Sequence, residues 1–565
     1  MIIGSRSMTS NTVWYAITQA LKCNGVTQVF GLPSDDLALM IEIKKNNINF
    51  LITKDQRNAM FMATGYSLAM NQLGVCVVGK GPAMMNCMTG VLEADAQCAP
   101  VLIIATSTKT EKYGFNRSFQ EANQYEVVSP LAKWAHRVES ADSIHWVMKK
   151  AIFLATSGSP GPVYIEIPED IGFQQVQKNE FSSYIPTIHS KLSADVENIN
   201  KARRMIKEST KPIIIYGGGT KRGRDRHILK AFAEWLRAPI FVTASGRGAI
   251  SEEDPLFCGL AGLYCPAHMM ELITQSDLFI SVGSRLEETA TFGWEASLKA
   301  NKIIQINISE QGFNLLYDSF NLQGDAEEIL SKLMETSIPR EDSYQWIEFA
   351  ENLKNHLFRE KDAVTYHYNQ LRVADILNVL NSYLPKEVVF VHENGLQDMW
   401  SYFYPYHALK AGQDAITPSE QTPLGFGAAA AVGVAQAQKD KMVVAIVGDG
   451  AFNLFQSDLS TVVQNKIPII YVVLNNGGYG WLAYQNKNNG ASSVFIHEEE
   501  SALIGVHSNL HHLQVKSCHE LVDSIKEAMA AYRVGKSVIL ECFVQVNDVA
   551  YALKDIYGDF PIKER

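Results

Sequence analysis

The chain has 565 residues, of which 47% are hydrophobic and 19% are charged, and its formal net charge is −10. This is a globular composition with ample core, and the length predicts about three or four domains. No basic run or basic–aromatic stripe is present, which argues against nucleic acid as a partner. We find no membrane span or signal peptide, and the eight cysteines are scattered singly, so we expect a cytoplasmic protein with reduced thiols.

Short β-rich apolar runs alternate with helical stretches along the chain. Examples, in chain order, are 27–33, 75–82, 100–107, 212–219, 277–284, 302–309, 388–395, 442–450 and 469–476. This alternation predicts an α/β fold of doubly wound parallel sheets joined by crossover helices. Many runs end in glycine and a small or polar residue, and open α/β sheets bind ligands at these carboxyl ends.

Two polar segments divide the chain. Residues 172–190 show no sustained periodicity, and residues 336–345 carry a proline and charges after a helical stretch. These segments separate predicted domains at 1–175, 190–335 and 365–565, each long enough for one doubly wound sheet. The similar sizes of the three domains suggest duplicated units.

The sharpest local pattern lies near the end of the chain. One buried strand ends at Gly448-Asp449-Gly450, a helix follows, and the next buried strand ends at Asn475-Asn476. Carboxylate and amide oxygens suit Mg²⁺ or Ca²⁺ and leave room for phosphate oxygens. The glycines let backbone N–H groups approach a phosphate, and the helix presents its N-terminus to the anion. The alternative interpretation is that these polar residues only cap two strand–turn connections.

This segment resembles the metal-binding signature of thiamine-diphosphate-dependent enzymes, and the resemblance covers nearly the whole chain. Other segments that resemble the family are VFGLPSDDL (29–37), GKGPAMMN (79–86), SFQE (118–121), SGSPGPVYIEIPEDI (157–171), GSRLEETATFG (283–293), NGLQDMW (394–400) and TPLGFGAAAAVG (422–433). The branch includes acetohydroxyacid synthase, pyruvate oxidase, benzaldehyde lyase and carboxyethylarginine synthase. The resemblance implies a pyrimidine-binding N-terminal domain, a central domain and a diphosphate- and metal-binding C-terminal domain. It also implies a homodimer or homotetramer whose active sites are shared between subunits.

By this resemblance the chain binds thiamine diphosphate and Mg²⁺. Asp449 and Asn476 would ligate the metal, with the carbonyl of Gly478 as a third ligand. The cofactor-binding positions that the resemblance implies are Gln56, Gly81, Pro82, Asn86, Gly395, Gln397, Leu424, Gly448, Asp449, Gly450, Ala451, Asn476, Gly478, Tyr479 and Gly480.

Gln56 stands where the family has a glutamate that hydrogen-bonds a pyrimidine nitrogen of the cofactor. An amide can still accept or donate a hydrogen bond, but it carries no charge and cannot take the proton. Losing about 1–3 kcal/mol of this interaction would slow cofactor activation roughly 10- to 100-fold. The glyoxylate carboligase branch works without an acid there. Three interpretations stay open: a catalyst adapted to the amide, a rescue by Asp55, and a protein that binds the cofactor without turnover.

Further catalytic candidates follow from the resemblance. Leu424 falls where the family has a bulky apolar residue that holds the cofactor in a bent shape, and the alternative is an ordinary core leucine. Gln120 matches a glutamine that reaches the reacting centre, and the alternative is a surface position. Lys80, beside the glycine turn, is a candidate to meet an anionic substrate or else a solvated lysine. Gln397 takes a place often held by histidine, which removes one usual acid–base group.

Two segments in the middle of the chain bear on whether the protein binds FAD. Residues 216–224 and 283–293 resemble segments that hold FAD in flavin-containing branches, with an arginine like Arg285. Flavin-free relatives keep much of the same pattern. The resemblance therefore leaves FAD open and favours a role without redox chemistry if FAD binds.

The expected function is an acetolactate synthase-like carboligase or lyase that acts on a pyruvate-like 2-keto acid and a carbonyl acceptor. Because Gln56 and Gln397 replace ionisable groups, we expect carbon–carbon bond formation rather than simple protonation. One alternative is a regulatory or non-catalytic homologue that binds thiamine diphosphate. Another is an FAD-linked 2-keto acid oxidase.

Overall fold

The computed structural model describes residues 11–32, 37–176, 191–223, 225–336, 343–363, 370–489 and 510–560. Within these ranges the strands form three six-stranded sheets, and every strand pairing is parallel. Each apolar run named from the sequence overlaps one of these strands. The predicted fold class, parallel α/β sheets with flanking helices, is therefore confirmed.

The first sheet has the strand order β2-β1-β3-β4-β6-β5. Its strands are β1 (Gln28–Leu32), β2 (Asn49–Ile52), β3 (Gly74–Val78), β4 (Val101–Ser107), β5 (Trp134–Arg137) and β6 (Val163–Pro168). The helices of this part of the chain are α1 (Val13–Cys23), α2 (Ala38–Lys45), α3 (Gln56–Met70), α4 (Pro82–Asn86), α5 (Met88–Ala96), α6 (Gln124–Val128), α7 (Ile144–Thr156) and α8 (Glu169–Gly172).

The middle sheet has the strand order β12-β11-β10-β7-β8-β9. Its strands are β7 (Pro212–Tyr216), β8 (Ile240–Val242), β9 (Phe257–Leu260), β10 (Leu278–Val282), β11 (Lys302–Asn307) and β12 (Ser319–Gln323). The helices are α9 (Val196–Glu208), α10 (His227–Leu236), α11 (Met270–Gln275), α12 (Glu288–Thr291), α13 (Glu295–Ala300), α14 (Ala326–Met334) and α15 (Ser343–Ala363). Helix α15 begins inside the segment that was expected to be a linker at 336–345.

The last sheet has the strand order β14-β13-β15-β16-β18-β17. Its strands are β13 (Val388–His392), β14 (Asp414–Ile416), β15 (Met442–Gly448), β16 (Ile470–Asn475), β17 (His511–Val515) and β18 (Val538–Phe543). The helices are α16 (Val373–Tyr383), α17 (Phe426–Ala437), α18 (Asp449–Asn453), α19 (Leu459–Gln464), α20 (Gly480–Gln485), α21 (Cys518–Arg533) and α22 (Tyr551–Tyr557).

The strand orders point to the ligand-binding edges. Counted from their own first strands, the first and last sheets share the order 2-1-3-4-6-5, which is what duplicated units predict. In each sheet, the chain adds strands first on one side and then on the other side of its first strand. This change of side falls between β1 and β3, between β7 and β10, and between β13 and β15. In open α/β sheets, ligands bind beside the carboxyl ends of the strands at such a switch point.

The chain packs as two compact units. The first unit takes Met1–His189 with Ala429–Lys439 and Phe455–Ile467, and the second takes the remaining residues from Ser190 on. Each unit has its own hydrophobic core of buried strand and helix residues. The sheets fall inside the predicted ranges 1–175, 190–335 and 365–565, but the packing joins the latter two, so those domain boundaries stay a prediction.

Candidate active site

The loops after β13 and β15 leave the last sheet at its switch point, inside the second unit. The loop after β13 carries Gly395 and Gln397, and strand β15 runs through Gly448 into Asp449. Strand β16, beside β15, runs into Asn476 and Gly478. The structure therefore gathers most of the predicted diphosphate and metal positions at one edge of one sheet.

Asp449 is the first residue of the five-residue helix α18. Burial raises the pKa of its carboxyl to about 6, although backbone N–H groups including that of Gly450 oppose the rise. A Cβ added to Gly450 would lie 3.6 Å from the ring of Tyr479, so this side of Gly450 faces Tyr479. The longer helix expected after Gly450 is split in two, because α18 ends at Asn453 and α19 begins only at Leu459.

The two asparagines after β16 have different partners. Asn475 is buried and its Nδ2 donates to Glu541 at 2.9 Å, while Asn476 is half-buried. The Oδ1 of Asn476 accepts from the Gly478 N–H at 2.8 Å. Of the two asparagines, Asn476 is thus the less buried, and it is the residue that the resemblance implies as a metal ligand.

Gln397 holds the amide of Asn476. Its Oε1 accepts from Asn476 Nδ2, and its Nε2 donates to the carbonyl of Val546 at 3.0 Å. A Cβ added to Gly480 would lie 2.8 Å from both side chains, so only glycine leaves room for this contact. Gln397 therefore contacts the side chain of Asn476 directly, which its place in the sequence did not reveal.

Asp398 is the acidic residue at this edge that sequence reasoning missed. Its side chain is buried, and neither carboxylate oxygen has a hydrogen-bond partner within the described ranges. Burial, and next the charge of Asp449, raise its pKa to about 8, with a smaller opposing effect of the Gly448 backbone. The residue stood within the matched segment 394–400, and its acidity directly after Gln397 was the available signal.

Leu424 lies in the loop before α17 and is 46% exposed. The interpretation of an ordinary core leucine is therefore wrong. The next residue, Gly425, has a φ of +89°, and a Cβ added to it would lie 3.3 Å from Cβ of Leu454. The loop that carries Leu424 therefore passes close to the end of α18.

The residues at this edge fit a divalent cation with a diphosphate. Asp449, Asn476 and the Gly478 carbonyl supply hard oxygen donors, which suit Mg²⁺. Gly450 keeps backbone accessible beside them. The buried carboxylate of Asp398 without a partner in the described part of the chain adds an acceptor that a cation would satisfy. The donor set is mixed, because neither at this edge nor elsewhere in the described residues are three or more His, Cys, Asp or Glu placed together to hold a metal.

Gln56 begins helix α3 in the first unit. Its Oε1 accepts from Asn86 Nδ2 at 3.0 Å, so two predicted cofactor-binding residues are in contact. Asp55 is the N-cap of α3, where its Oδ1 accepts from the N–H groups of Arg57 at 2.7 Å and Asn58 at 3.2 Å. The carboxylate of Asp55 therefore stabilises the helix start.

Gly81 and Pro82 form the turn after β3, at the switch point of the first sheet. Gly81 has a φ of +58°, and a Cβ there would lie 2.3 Å from the Gln120 carbonyl. This close approach requires glycine and brings the exposed Gln120 beside the turn. The loop after β1, residues 33–36 of the matched segment 29–37, lies outside the described residues.

Lys80, directly before Gly81, is not a solvated lysine. Its Nζ forms an ion pair with Glu169, and the two side chains are 13% and 29% exposed. A substrate carboxylate that reached Lys80 would compete with Glu169.

The middle sheet has glycine-rich loops at its own switch point. The Gly219 N–H donates to the Gly283 carbonyl at 2.9 Å, so the loops after β7 and β10 contact each other. Arg285, the residue compared with the flavin-binding arginine, forms an ion pair with Glu287 at 2.9 Å. Flavin binding stays a prediction.

Three models of the thiamine pyrophosphate enzyme family match the chain. The N-terminal TPP-binding domain matches residues 11–127, the central domain 199–333 and the C-terminal TPP-binding domain 393–542. None of the described helices is both long and apolar enough to cross a membrane.

Curated relatives extend the match to most of the chain. The acetolactate synthase large subunit of Lactococcus lactis is 27% identical over 90% of this chain and 89% of its own length. The probable acetolactate synthase large subunit of Methanocaldococcus jannaschii is 28% identical over 86% and 84%. The acetolactate synthase isozyme 2 large subunit of Escherichia coli is 27% identical over 82% and 83%. The chain belongs to the thiamine-diphosphate-dependent enzymes and is an acetolactate synthase-like member of the carbon–carbon ligase and decarboxylase type.

Proposed function

We propose that this enzyme is a carboligase that joins a 2-keto acid donor such as pyruvate to a carbonyl acceptor. The observation that carries the proposal is the set of oxygen donors at the β13–β15 switch point, with the exposed Leu424 close to α18. Bound thiamine diphosphate would supply a nucleophilic carbon for addition to the keto carbon, and an electron sink for the pair that remains on the keto carbon when carbon dioxide leaves. The proposal includes Mg²⁺, held by Asp449, Asn476 and the carbonyl of Gly478.

The chain's own residues hold and orient the cofactor in this proposal. Gln397 fixes the amide of Asn476, and Leu424 supports the bent cofactor. Gln56 meets the pyrimidine ring through its amide, and Asn86 sets the orientation of that amide. Because Asp55 already caps α3, the contacts support a site adapted to Gln56 rather than a rescue by Asp55.

The proposed preference for ligation over protonation follows from the amide side chains among the candidate catalytic residues. Gln56, Gln120 and Gln397 do not exchange protons near neutral pH, whereas the family commonly has ionisable groups at the first and last of these positions. A site with few proton donors favours a carbon acceptor over a proton. Lys80 would attract the donor's carboxylate to the Gly81 turn, in competition with Glu169.

Product analysis tests the proposal. The protein is incubated with Mg²⁺, thiamine diphosphate and a series of 2-keto acids, with and without aldehyde or keto acid acceptors. We expect ligated products that depend on the acceptor. Acetaldehyde as the sole product from pyruvate, even with acceptors present, would refute the ligase proposal.

Two measurements separate the alternatives. Cofactor binding without hydrogen–deuterium exchange at the thiazolium carbon above the free-cofactor rate would indicate a non-catalytic homologue. Flavin absorbance after incubation with FAD, together with oxygen consumption on a 2-keto acid, would indicate an oxidase. In the proposal FAD has no redox role, whether or not it binds.

The assembly and location complete the proposal. We propose a homodimer or homotetramer with active sites shared between subunits, which light scattering after size-exclusion chromatography would test. A cytoplasmic location is proposed from the eight cysteines, which are scattered singly along the sequence with no CxxC pair.

A further inference from the structure

Asp398 is a buried acid at the edge where the cofactor site is proposed. Its side chain is 1% exposed, and both carboxylate oxygens lack a hydrogen-bond partner within the described ranges. A carboxylate buried in this way is costly unless a cation or hydrogen-bond donors satisfy it. Within the described residues no hydrogen-bond donor satisfies this carboxylate, and a bound cation would do so.

The carboxylate lies against the two glycines that border the site. A Cβ added to Gly395 would lie 2.5 Å from Asp398 Oδ2, and one added to Gly448 would lie 3.3 Å from the same oxygen. Gly448 directly precedes Asp449 at the end of β15. The loop after β13 thus places Oδ2 beside the strand end that carries Asp449.

The acidic neighbours of Asp398 differ in their partners. Asp449 is the charged side chain that acts on Asp398, and it is negative as well. Glu541, the next acid, already accepts from Asn475 at 2.9 Å, from Gln514 at 3.1 Å and bonds to His512 at 2.9 Å. Asp398 and Asp449 are therefore the pair whose charges a cation would balance.

We infer that Asp398 supplies a second carboxylate to the divalent-cation site at Asp449, so that the chain binds the cation before thiamine diphosphate. This inference rests on the metal site of the proposed function. The number of charged ligands sets the affinity of oxygen-ligand cation sites. Two carboxylates also repel a diphosphate, so cofactor binding depends strictly on prior binding of the cation.

Manganese titration of the full-length protein tests the inference. Free Mn²⁺ is measured by electron paramagnetic resonance, without thiamine diphosphate, for the wild type, Asp398→Asn, Asp449→Asn and Asp440→Asn. Asp440 is exposed just before β15, at its opposite end, and controls for the loss of one negative charge. We expect wild type and Asp440→Asn to bind alike, Asp398→Asn to bind about 10-fold or more weakly, and Asp449→Asn to bind weakest.

Thermal melting in EDTA and in Mn²⁺ gives a second readout. Replacing a buried carboxyl group that has no hydrogen-bond partner in the described residues should leave the melting temperature of Asp398→Asn in EDTA equal to or above that of the wild type, while its rise in Mn²⁺ shrinks. A merely structural role would instead lower the melting temperature in EDTA. If Asp398→Asn does not fold, Asp398→Ser takes its place.

The outcomes separate this inference from the proposed function. Equal Mn²⁺ affinity of wild type and Asp398→Asn overturns the inference and leaves the Asp449 site standing. Unchanged binding in Asp449→Asn, or no binding of Mn²⁺ by the wild type, overturns the inference together with the proposed ligands. If the Mn²⁺ affinities follow the expected order but no ligated product forms, the inference is upheld and only the proposed carboligase activity is refuted.

Discussion

At the scale of single residues, Gln56 has the sharpest consequence. Gln56→Glu should raise the rate of hydrogen–deuterium exchange at the thiazolium carbon about 10-fold or more, because a carboxylate forms a charge-assisted bond to the pyrimidine ring. Carboligation should rise less, because later steps in a site adapted to an amide then limit turnover. Asn86 Nδ2 already faces the position and can donate to the new carboxylate.

Paired exchange and steady-state product assays measure this effect. Gln311→Glu, the same change at an exposed position of the middle sheet's loops, is the control. Equal large gains in exchange and product formation would show that Gln56 only slows cofactor activation and that the site is not adapted to the amide. No gain in exchange would show that Gln56 does not occupy the activator's place.

Truncation of Leu424 distinguishes a role in catalysis from a role in stability. Leu424→Ala should change the free energy of unfolding by less than about 0.5 kcal/mol, because the side chain is 46% exposed. The catalytic rate should nevertheless fall about 10-fold or more, since the bent cofactor loses its support. Chemical denaturation and steady-state kinetics are compared with Leu482→Ala, which truncates a leucine that is 43% exposed on α20. A stability loss that matches the activity loss would contradict this role.

At the scale of elements, the first unit depends on a close crossing of α3 with the part of α17 that it includes. A Cβ added to Gly433 would lie 1.9 Å from the Met62 carbonyl, and one added to Gly65 would lie 2.3 Å from the Ala430 carbonyl. Both contacts are with backbone, which cannot rotate away. Gly433→Ala should therefore lower the free energy of unfolding by about 1–3 kcal/mol.

Urea unfolding monitored by circular dichroism measures that loss. Gly161→Ala is the control, because the nearest atom to its new Cβ is Lys133 Cβ at 3.4 Å, an ordinary van der Waals distance. The double variant Gly65→Ala/Gly433→Ala should lose less than the sum of its single variants, since one displacement relieves both clashes. Additive losses would mean that the glycines act independently.

Elements and site residues were not equally predictable from the sequence. Continuous apolar runs such as that of β4 mark strands buried on both faces, which is why these strands could be located. The helix expected after Gly450 is interrupted by residues 454–458, and Asp458, just before α19, accepts from the Thr461 hydroxyl at 3.0 Å. The choice of Asn476 over Asn475 came from the family resemblance, because pattern and spacing alone do not reveal the contact of Asn475 with Glu541 across the sheet. Asp398 was missed for the same reason, since its approach to Gly448 needs the loop conformation.

At the scale of the whole molecule, the second unit is joined by the buried side chain of Arg247. Its guanidinium forms two hydrogen bonds with Glu252, at 2.8 and 2.9 Å, and donates to the carbonyls of Ser401 at 2.8 Å and His407 at 3.0 Å. It thereby links the segment after β8 in the middle sheet to the segment after β13 in the last sheet. Burial, and next the positive charge of Arg247, hold the pKa values of His392 and His407 well below the usual range.

These two histidines make the stability of the second unit depend on pH. Below about pH 6.5 each histidine gains a proton in the unfolded chain but not in the folded one, so stability is lost as pH falls, by about 1.4 kcal/mol per pH unit for each. The raised pKa values of Asp398 and Asp449 act in the opposite direction, so a comparison of variants is needed.

His407→Gln keeps a donor for the Asn381 Oδ1 that lies 2.8 Å from His407 Nδ1, and it removes one titrating group. Between pH 6.5 and 5, urea unfolding should show a shallower fall in stability for His407→Gln than for the wild type, whereas the exposed His227→Gln should match the wild type. Parallel curves for all three proteins would mean that His407 is protonated in the folded state and that its burial beside Arg247 does not govern the response to acid.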